Sequence, residues 1–212
     1  MNERDEPFTP NVDDLVDRNR RFAEERSGQD AGLALRPRRK LAVVACMDSR
    51  MDIFAMFGLE HGEAHIIRNA GGVVTDDVIR SLVLSQRLLG TQEIILVHHT
   101  NCGLQAVTDD GLKDDIERDT GIRPAWAIEA FTDPFRNVRQ SIARLRANPF
   151  VVHKEHISGF VYDVATGVLM PCEEGDGGDE ATGAEAGGDE AGGDEARLGE
   201  PVPGSARRTS GR

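Results

Sequence analysis

Hydrophobic residues recur along this chain in two rhythms. In residues 40–46 and 93–99 they run consecutively (Leu41, Ala42, Val43, Val44, Ala45; Ile94, Ile95, Leu96, Val97). That pattern suits strands buried on both faces of a parallel sheet. Residues 64–68 predict a shorter strand. It runs into Asn69-Ala70-Gly71-Gly72, where backbone must bend tightly or approach something closely. Elsewhere the spacing is helical. Val78, Ile79, Leu82, Val83, Gln86 and Leu89 make one face of a helix opened by Asp76-Asp77 and stopped by Gly90. Phe135, Val138, Ile142 and Leu145 make one side of another, with Pro134 at its first position and Asn148-Pro149 as its break. Residues 51–57 predict a short helix closed by Gly58. Helical spacing resumes after Gly103 with Leu104 and Val107, and residues 109–121 predict a polar segment that is helical in part. Residues 157–164 and 168–170 flank Ala165-Thr166-Gly167 as a hairpin.

Strands alternating with helices predict an α/β fold, a mostly parallel central sheet flanked by helices. Sites in such sheets lie outside the carboxyl ends of the strands. Residues 11–26 predict a preceding helical arm with Asn11 as N-cap and acids in its first turn. Its apolar stripe is thin: Val12, Leu15, Val16, Phe22, Ala23. Both an arm laid on a partner subunit and a plain surface helix fit so thin a stripe.

Composition then divides the chain. Residues 173–212 hold 11 acids and 4 Arg, about −7 of the total −12, and repeat Gly-Gly-Asp-Glu-Ala from Gly177, Gly187 and Gly192. Gly, Ala and acids without aromatics cannot bury enough to fold, so this acidic C-terminal tail is expected to be disordered, as are residues 1–10. The rest carries 26 acids against 21 Lys and Arg, without the basic stripe of a nucleic-acid binder. No stretch approaches the ~20 apolar residues that span a bilayer, and the charged N-terminus has no signal-peptide core. A cytoplasmic protein without nucleic-acid or membrane partners is expected. Three cysteines, an odd number, argue against a disulfide framework and for metal or catalysis.

The chemistry gathers at two strand ends, Cys46-x-Asp48-x-Arg50 and His99-x-x-Cys102. Zinc takes S and N donors, and a catalytic site uses three protein ligands plus water where a structural site uses four. Cys46, His99 and Cys102 supply three. Cys172 sits far along, before the tail, and reads as a free thiol. Alone, Cys46 would be a buried small hydrophobe; the whole constellation reverses that reading. Neighbouring side chains on a strand point oppositely, and the spacing to Cys102 selects His99, leaving His98 structural. Two thiolates cancel the charge of Zn²⁺, so such a site acidifies water less than three neutral imidazoles would. Asp48 could orient that water by accepting its hydrogen bond, or could ligate zinc itself. Arg50 can fork both carboxylate oxygens, keeping Asp48 ionised and aimed away from the metal. Cys102 is placed at a helix N-terminus, where the dipole would favour its thiolate. Met47, Val73 and Phe54 are candidates for an apolar slot, and backbone amides near Gly103 or Ala70-Gly71 for an anion. His61, His65, His153 and His156 are candidate proton shuttles that also fit surface or packing roles. Trp126 fits core or interface.

Cys46-Met47-Asp48-Ser49-Arg50, Arg68-Asn69-Ala70-Gly71 and His99-Thr100-Asn101-Cys102-Gly103 resemble the signature segments of the β-class carbonic anhydrases, nearest their shorter bacterial members. Residues 159–167 resemble the last strand pair of that family. The similarity covers residues 11–172, in order. It implies reversible hydration of carbon dioxide to bicarbonate and a proton by attack of zinc-bound hydroxide, with one Zn²⁺ per chain held at Cys46, His99 and Cys102. It implies a catalytic Asp48–Arg50 dyad, the Asp moving onto zinc at low pH in some members. It also implies an obligate homodimer, or a dimer of dimers, with N-terminal helices embracing the partner. The 173–212 extension departs from the family. Two other readings compete: hydrolysis of carbon disulfide or carbonyl sulfide on the same site, and a non-catalytic zinc-stabilised regulatory domain, which would have no need of the dyad. A redox pair of Cys46 and Cys102 is poorly served without Cys-x-x-Cys.

Overall fold

Residues 10–26 and 32–172 are described in a computed structural model. The expectations for residues 1–9 and for the 173–212 tail fall outside them. In chain order the elements are α1 (Val12–Glu25), β1 (Leu41–Cys46), α2 (Ile53–Phe57), β2 (Ala64–Asn69), α3 (Asp76–Leu89), β3 (Glu93–His99), α4 (Asp109–Thr120), α5 (Pro134–Ala147), β4 (His156–Tyr162) and β5 (Leu169–Pro171). The sheet order is β2-β1-β3-β4-β5; all pairs are parallel except the antiparallel β4–β5 edge. This is the expected α/β architecture.

Strand periodicity splits the core into two layers. Ala42, Val44, Ile94 and Leu96 face α3 and α5, against Val78, Leu82, Val138, Ile142 and Leu145. Val43, Ala45 and Val97 face the other way, with Met51, Ile53, Val73 and Phe131. Every residue of β1 is buried, as the unbroken apolar run requires. Removing a fully buried side chain such as Leu82 down to Ala costs about 2–5 kcal/mol.

Local chemistry fixes the helix ends. Thr75, Thr108 and Asp133 accept backbone N–H groups at the starts of α3, α4 and α5. Gly58, Gly90 and Gly121 close α2, α3 and α4 in the left-handed region. Residues 109–120 are helical throughout, since Thr108 and Gly121 cap both ends. Four expectations change. α1 ends at Glu25, and Asn11 makes no side-chain cap bond. β4 stops at Tyr162, because the Asp163 carboxylate turns back to accept Ala165 and Thr166 N–H groups and starts the turn early. Trp126 is 60% exposed and is no part of the core. The thin stripe of α1 stays exposed, as either reading of that helix expects: no residue of α1 is buried.

Candidate metal centre

β1 and β3 are parallel, hydrogen-bonded neighbours, so their carboxyl ends lie side by side. Cys46 ends β1 and His99 ends β3. Past His99, Thr100 N–H donates to Tyr162 O, and Asn101 takes a φ of 55° that turns the chain back; Asn is among the few residues that tolerate that region. The turn brings Cys102 to the same corner. The ligand atoms of Cys46, His99 and Cys102 all lie within 4.8 Å of one another, and all three residues are buried. Among the described residues this is the one cluster of three His, Cys or acidic groups so arranged.

The donor set fits a metal. His99 Nδ1–H donates to the Thr100 carbonyl at 2.9 Å, which fixes the tautomer and leaves Nε2 unprotonated. That Nε2 is buried without any hydrogen-bond partner, a state costly to maintain unless something else engages its lone pair. Zn–S bonds of ~2.3 Å and Zn–N bonds of ~2.0 Å match the scale of the cluster. Cys172 belongs to the α3/α5 layer, across the sheet from the layer holding Cys46 and Cys102, so it brings no fourth sulfur.

The two thiols share a proton unequally. A hydrogen bond from Cys102 pulls the Cys46 thiol well below its ordinary range, against the opposing effect of burial and with help from His99 and the Asp48 backbone N–H. The same hydrogen bond, together with burial, pushes Cys102 far up. The expected thiolate-favouring helix dipole is absent at Cys102, which precedes only a single 3₁₀ turn, Gly103–Gln105. For His99, burial pushes the pKa down, but Cys46, the Thr100 carbonyl and Asp48 together raise it.

Asp48 stands at the rim. Arg50 gives it three N–H donors: backbone N and Nε to Oδ1, each at 2.9 Å, and Nη2 to Oδ2 at 2.6 Å. These hold its carboxyl well below the usual carboxylate range. Arg50 Nη2 also donates to Asn101 O at 3.1 Å, tying the β1 end to the turn that carries Cys102.

The glycine pair closes the approach. A Cβ on Gly72 would lie 2.7 Å from Cys46 N and 3.1 Å from Val97 O, and one on Gly71 2.5 Å from Leu104 Cδ1. Their φ angles are 76° and 70° for Gly71 and Gly72, so glycine is required by space and by conformation. The sequence signals a close approach here without saying to what.

Of the remaining candidates, His98 is fully buried on the opposite face, its Nε2–H donating to Asn137 Oδ1 at 2.9 Å. Val73 packs in the same layer as Cys46 and Cys102, and Met47 is 65% exposed beside them. Phe54 instead lines an apolar groove of about 540 Å³ between β2 and α3 that contains none of Cys46, His99 and Cys102. His65 is bonded to Ser85 in that groove, and His156 opens β4 at the far end of the sheet. Sequence reasoning gives no role to Arg68, whose Nε donates to Cys46 O at 2.8 Å and Nη2 to Asp48 O at 2.6 Å. An arginine near the end of a mostly apolar short strand is the available signal.

Comparison with known proteins places this site in context. A family model described as carbonic anhydrase matches residues 41–128. Beta-carbonic anhydrase 1 of Mycobacterium tuberculosis is 54% identical over 158 residues, 74% of this chain and 95% of the relative. A carbon disulfide hydrolase of Acidithiobacillus thiooxidans is 32% identical over 154 residues, 63% of this chain and 77% of the relative. The crystal structure of a carbonic anhydrase from Streptococcus mutans superposes with a TM-score of 0.73 at 39% identity, covering 79% of this chain and 100% of that one.

Proposed function

The chain belongs to the β-class carbonic anhydrases, zinc enzymes that reversibly hydrate carbon dioxide, and we propose that Cys46, His99 and Cys102 hold its zinc while Asp48 and Arg50 manage the reacting water. The observation that carries the assignment is the buried, unpartnered His99 Nε2 grouped with two thiols. Bound there, zinc supplies the Lewis acidity that activates water near neutral pH. One such cluster per chain among the described residues corresponds to one ion per chain.

The protein's own share is orientation. Cys46 enters as the ready thiolate, and Cys102 must release its proton to bind. Asp48, ionised by Arg50, accepts the hydrogen bond of the water and aims it. Its alternative role, ligating the metal, requires the Arg50 hydrogen bonds to break. Val73 and Met47 offer apolar surface for carbon dioxide beside the ligands. Carbon dioxide is preferred to carbon disulfide on the 54% identity to a carbonic anhydrase against 32% to a carbon disulfide hydrolase.

The catalytic unit is residues 11–172, which the alignment over 95% of the mycobacterial relative supports; removing 173–212 leaves turnover unchanged. The working form is a homodimer or dimer of dimers. Support comes from α1, which presents Val12, Leu15, Val16 and Phe22 at exposures of 44–62% and buries nothing. No helix among the described residues is long and apolar enough to cross a membrane. A site that needs two free thiols suits a reducing compartment such as the cytoplasm.

The deciding experiment is stopped-flow carbon dioxide hydration at pH 7 and 8.5 on metal-quantified protein, with Cys46→Ala and Cys102→Ala alongside. Wild type turns over and both variants lose zinc. Zinc-loaded wild type without turnover at either pH overturns the enzyme; full zinc in Cys102→Ala overturns the ligand set.

A further inference from the structure

Arg68 is the penultimate residue of the edge strand β2, next to the end of β1 in the sheet: the register pairs Ala45 with Arg68 and Cys46 with Asn69. Met47 N–H continues the pairing by donating to Asn69 O at 2.8 Å. The Arg68 side chain then crosses to β1 and meets two carbonyls, Cys46 O at 2.8 Å and Asp48 O at 2.6 Å. In an extended segment, carbonyls two residues apart lie on the same side of the chain. One planar guanidinium spanning both therefore ties these two carbonyls together and fixes the path of residues 46–48 just past the end of β1. Among the described residues no carboxylate pairs with Arg68; both of its hydrogen bonds go to these carbonyls.

We infer that Arg68 is a positioning residue for the metal centre, setting the directions of the Cys46 thiolate and the Asp48 carboxylate by clamping the backbone between them. The inference rests on the reading of Cys46 and Asp48 as site residues. Two arginines divide the work. Arg50 holds the Asp48 carboxylate, and Arg68 holds its carbonyl, which also accepts Met51 N–H at 3.1 Å. Without Arg68, residues 46–48 have Met47 N–H and the Asp48–Met51 turn to define them, and both side chains gain freedom at the point where geometry matters. A lysine, a point charge, reaches one carbonyl and not both in a plane.

The test uses full-length zinc protein and its cobalt-substituted form, as wild type, Arg68→Gln and Arg68→Lys. Arg68→Gln is expected to keep one zinc per chain and to lose about tenfold or more in kcat with KM within about twofold, the scale of lost support around a metal site. Its cobalt absorption spectrum differs from wild type without substrate present, and Arg68→Lys recovers part of both. Wild-type kcat and an unchanged cobalt spectrum in Arg68→Gln overturn the inference. So does a kcat loss that tracks a fall in melting temperature with the cobalt spectrum unmoved, since Arg68 then only supports the fold. Wild type that binds metal without turning over carbon dioxide fails the functional reading instead, and the spectra still judge Arg68.

Discussion

Asp48 Oδ2 lies 3.7 Å from His99 Nε2, yet all three N–H groups that bind the Asp48 carboxylate come from Arg50. The carboxylate thus borders the ligand cluster while being held by its own chain neighbour. On the proposed function, activity is expected to depend on Asp48 staying with Arg50 rather than moving toward the cluster.

Arg50→Gln removes the fork and frees Asp48 to move toward the cluster. Zinc content is expected to stay at one per chain while kcat/KM falls about 10- to 100-fold. Metal analysis paired with stopped-flow hydration checks it; a variant as active as wild type would show the dyad to be idle.

Zinc removal exposes the thiol pair. With Cys46 lowered and Cys102 raised by the hydrogen bond between them, zinc-free protein is expected to form its first thiolate well below the range of ordinary cysteines, near 8.5. Thiolate absorbance in the ultraviolet measures it. Cys102→Ala takes away the donor that lowers Cys46, so its titration moves upward; an unmoved titration contradicts the shared proton.

Gly72→Ala presses a methyl group onto the backbone at Cys46 N and Val97 O, atoms that cannot rotate away. Gly58→Ala at φ 60° meets nothing within 4 Å. Both variants bear the strain of the left-handed conformation, about 1–2 kcal/mol. Gly72→Ala is expected to cost about 1–3 kcal/mol more, from overpacking. Denaturant unfolding of the two variants under one set of conditions reads the difference directly, and equal losses would refute the close approach.

Glu63 accepts Glu60 N–H and pairs with Arg39 at 3.0 Å, which lowers its pKa. A carboxylate depressed in the folded state stabilises above its unfolded pKa, about 4.3, and that contribution fades as pH falls through the folded value. Wild type is therefore expected to exceed Glu63→Gln in stability at pH 6, with the gap closing toward pH 3. A gap that stays constant would mean the carboxylate charge plays no part.

Much of this protein is legible in its sequence. The unbroken apolar runs of β1 and β3 announce strands buried on both faces, because a parallel sheet covered by helices leaves no wet side. Caps and stops such as Thr75, Asp133, Gly58 and Gly90 act within one turn of chain, so local sequence determines them. Cys46, His99, Cys102, Asp48 and Arg50 stand out as candidates in the sequence because zinc chemistry restricts residue type and the strand ends restrict place. Tertiary structure decides what depends on approach between distant segments. Only the β1–β2 register puts Arg68 beside the Cys46 and Asp48 carbonyls, and only chain packing sets Gly72 on Cys46 N. It also sends Phe54 into a groove away from the site and leaves Trp126 in solvent. Sequence names the groups that can react; which of them meet is fixed by contacts between residues far apart in the chain, and no local pattern encodes those.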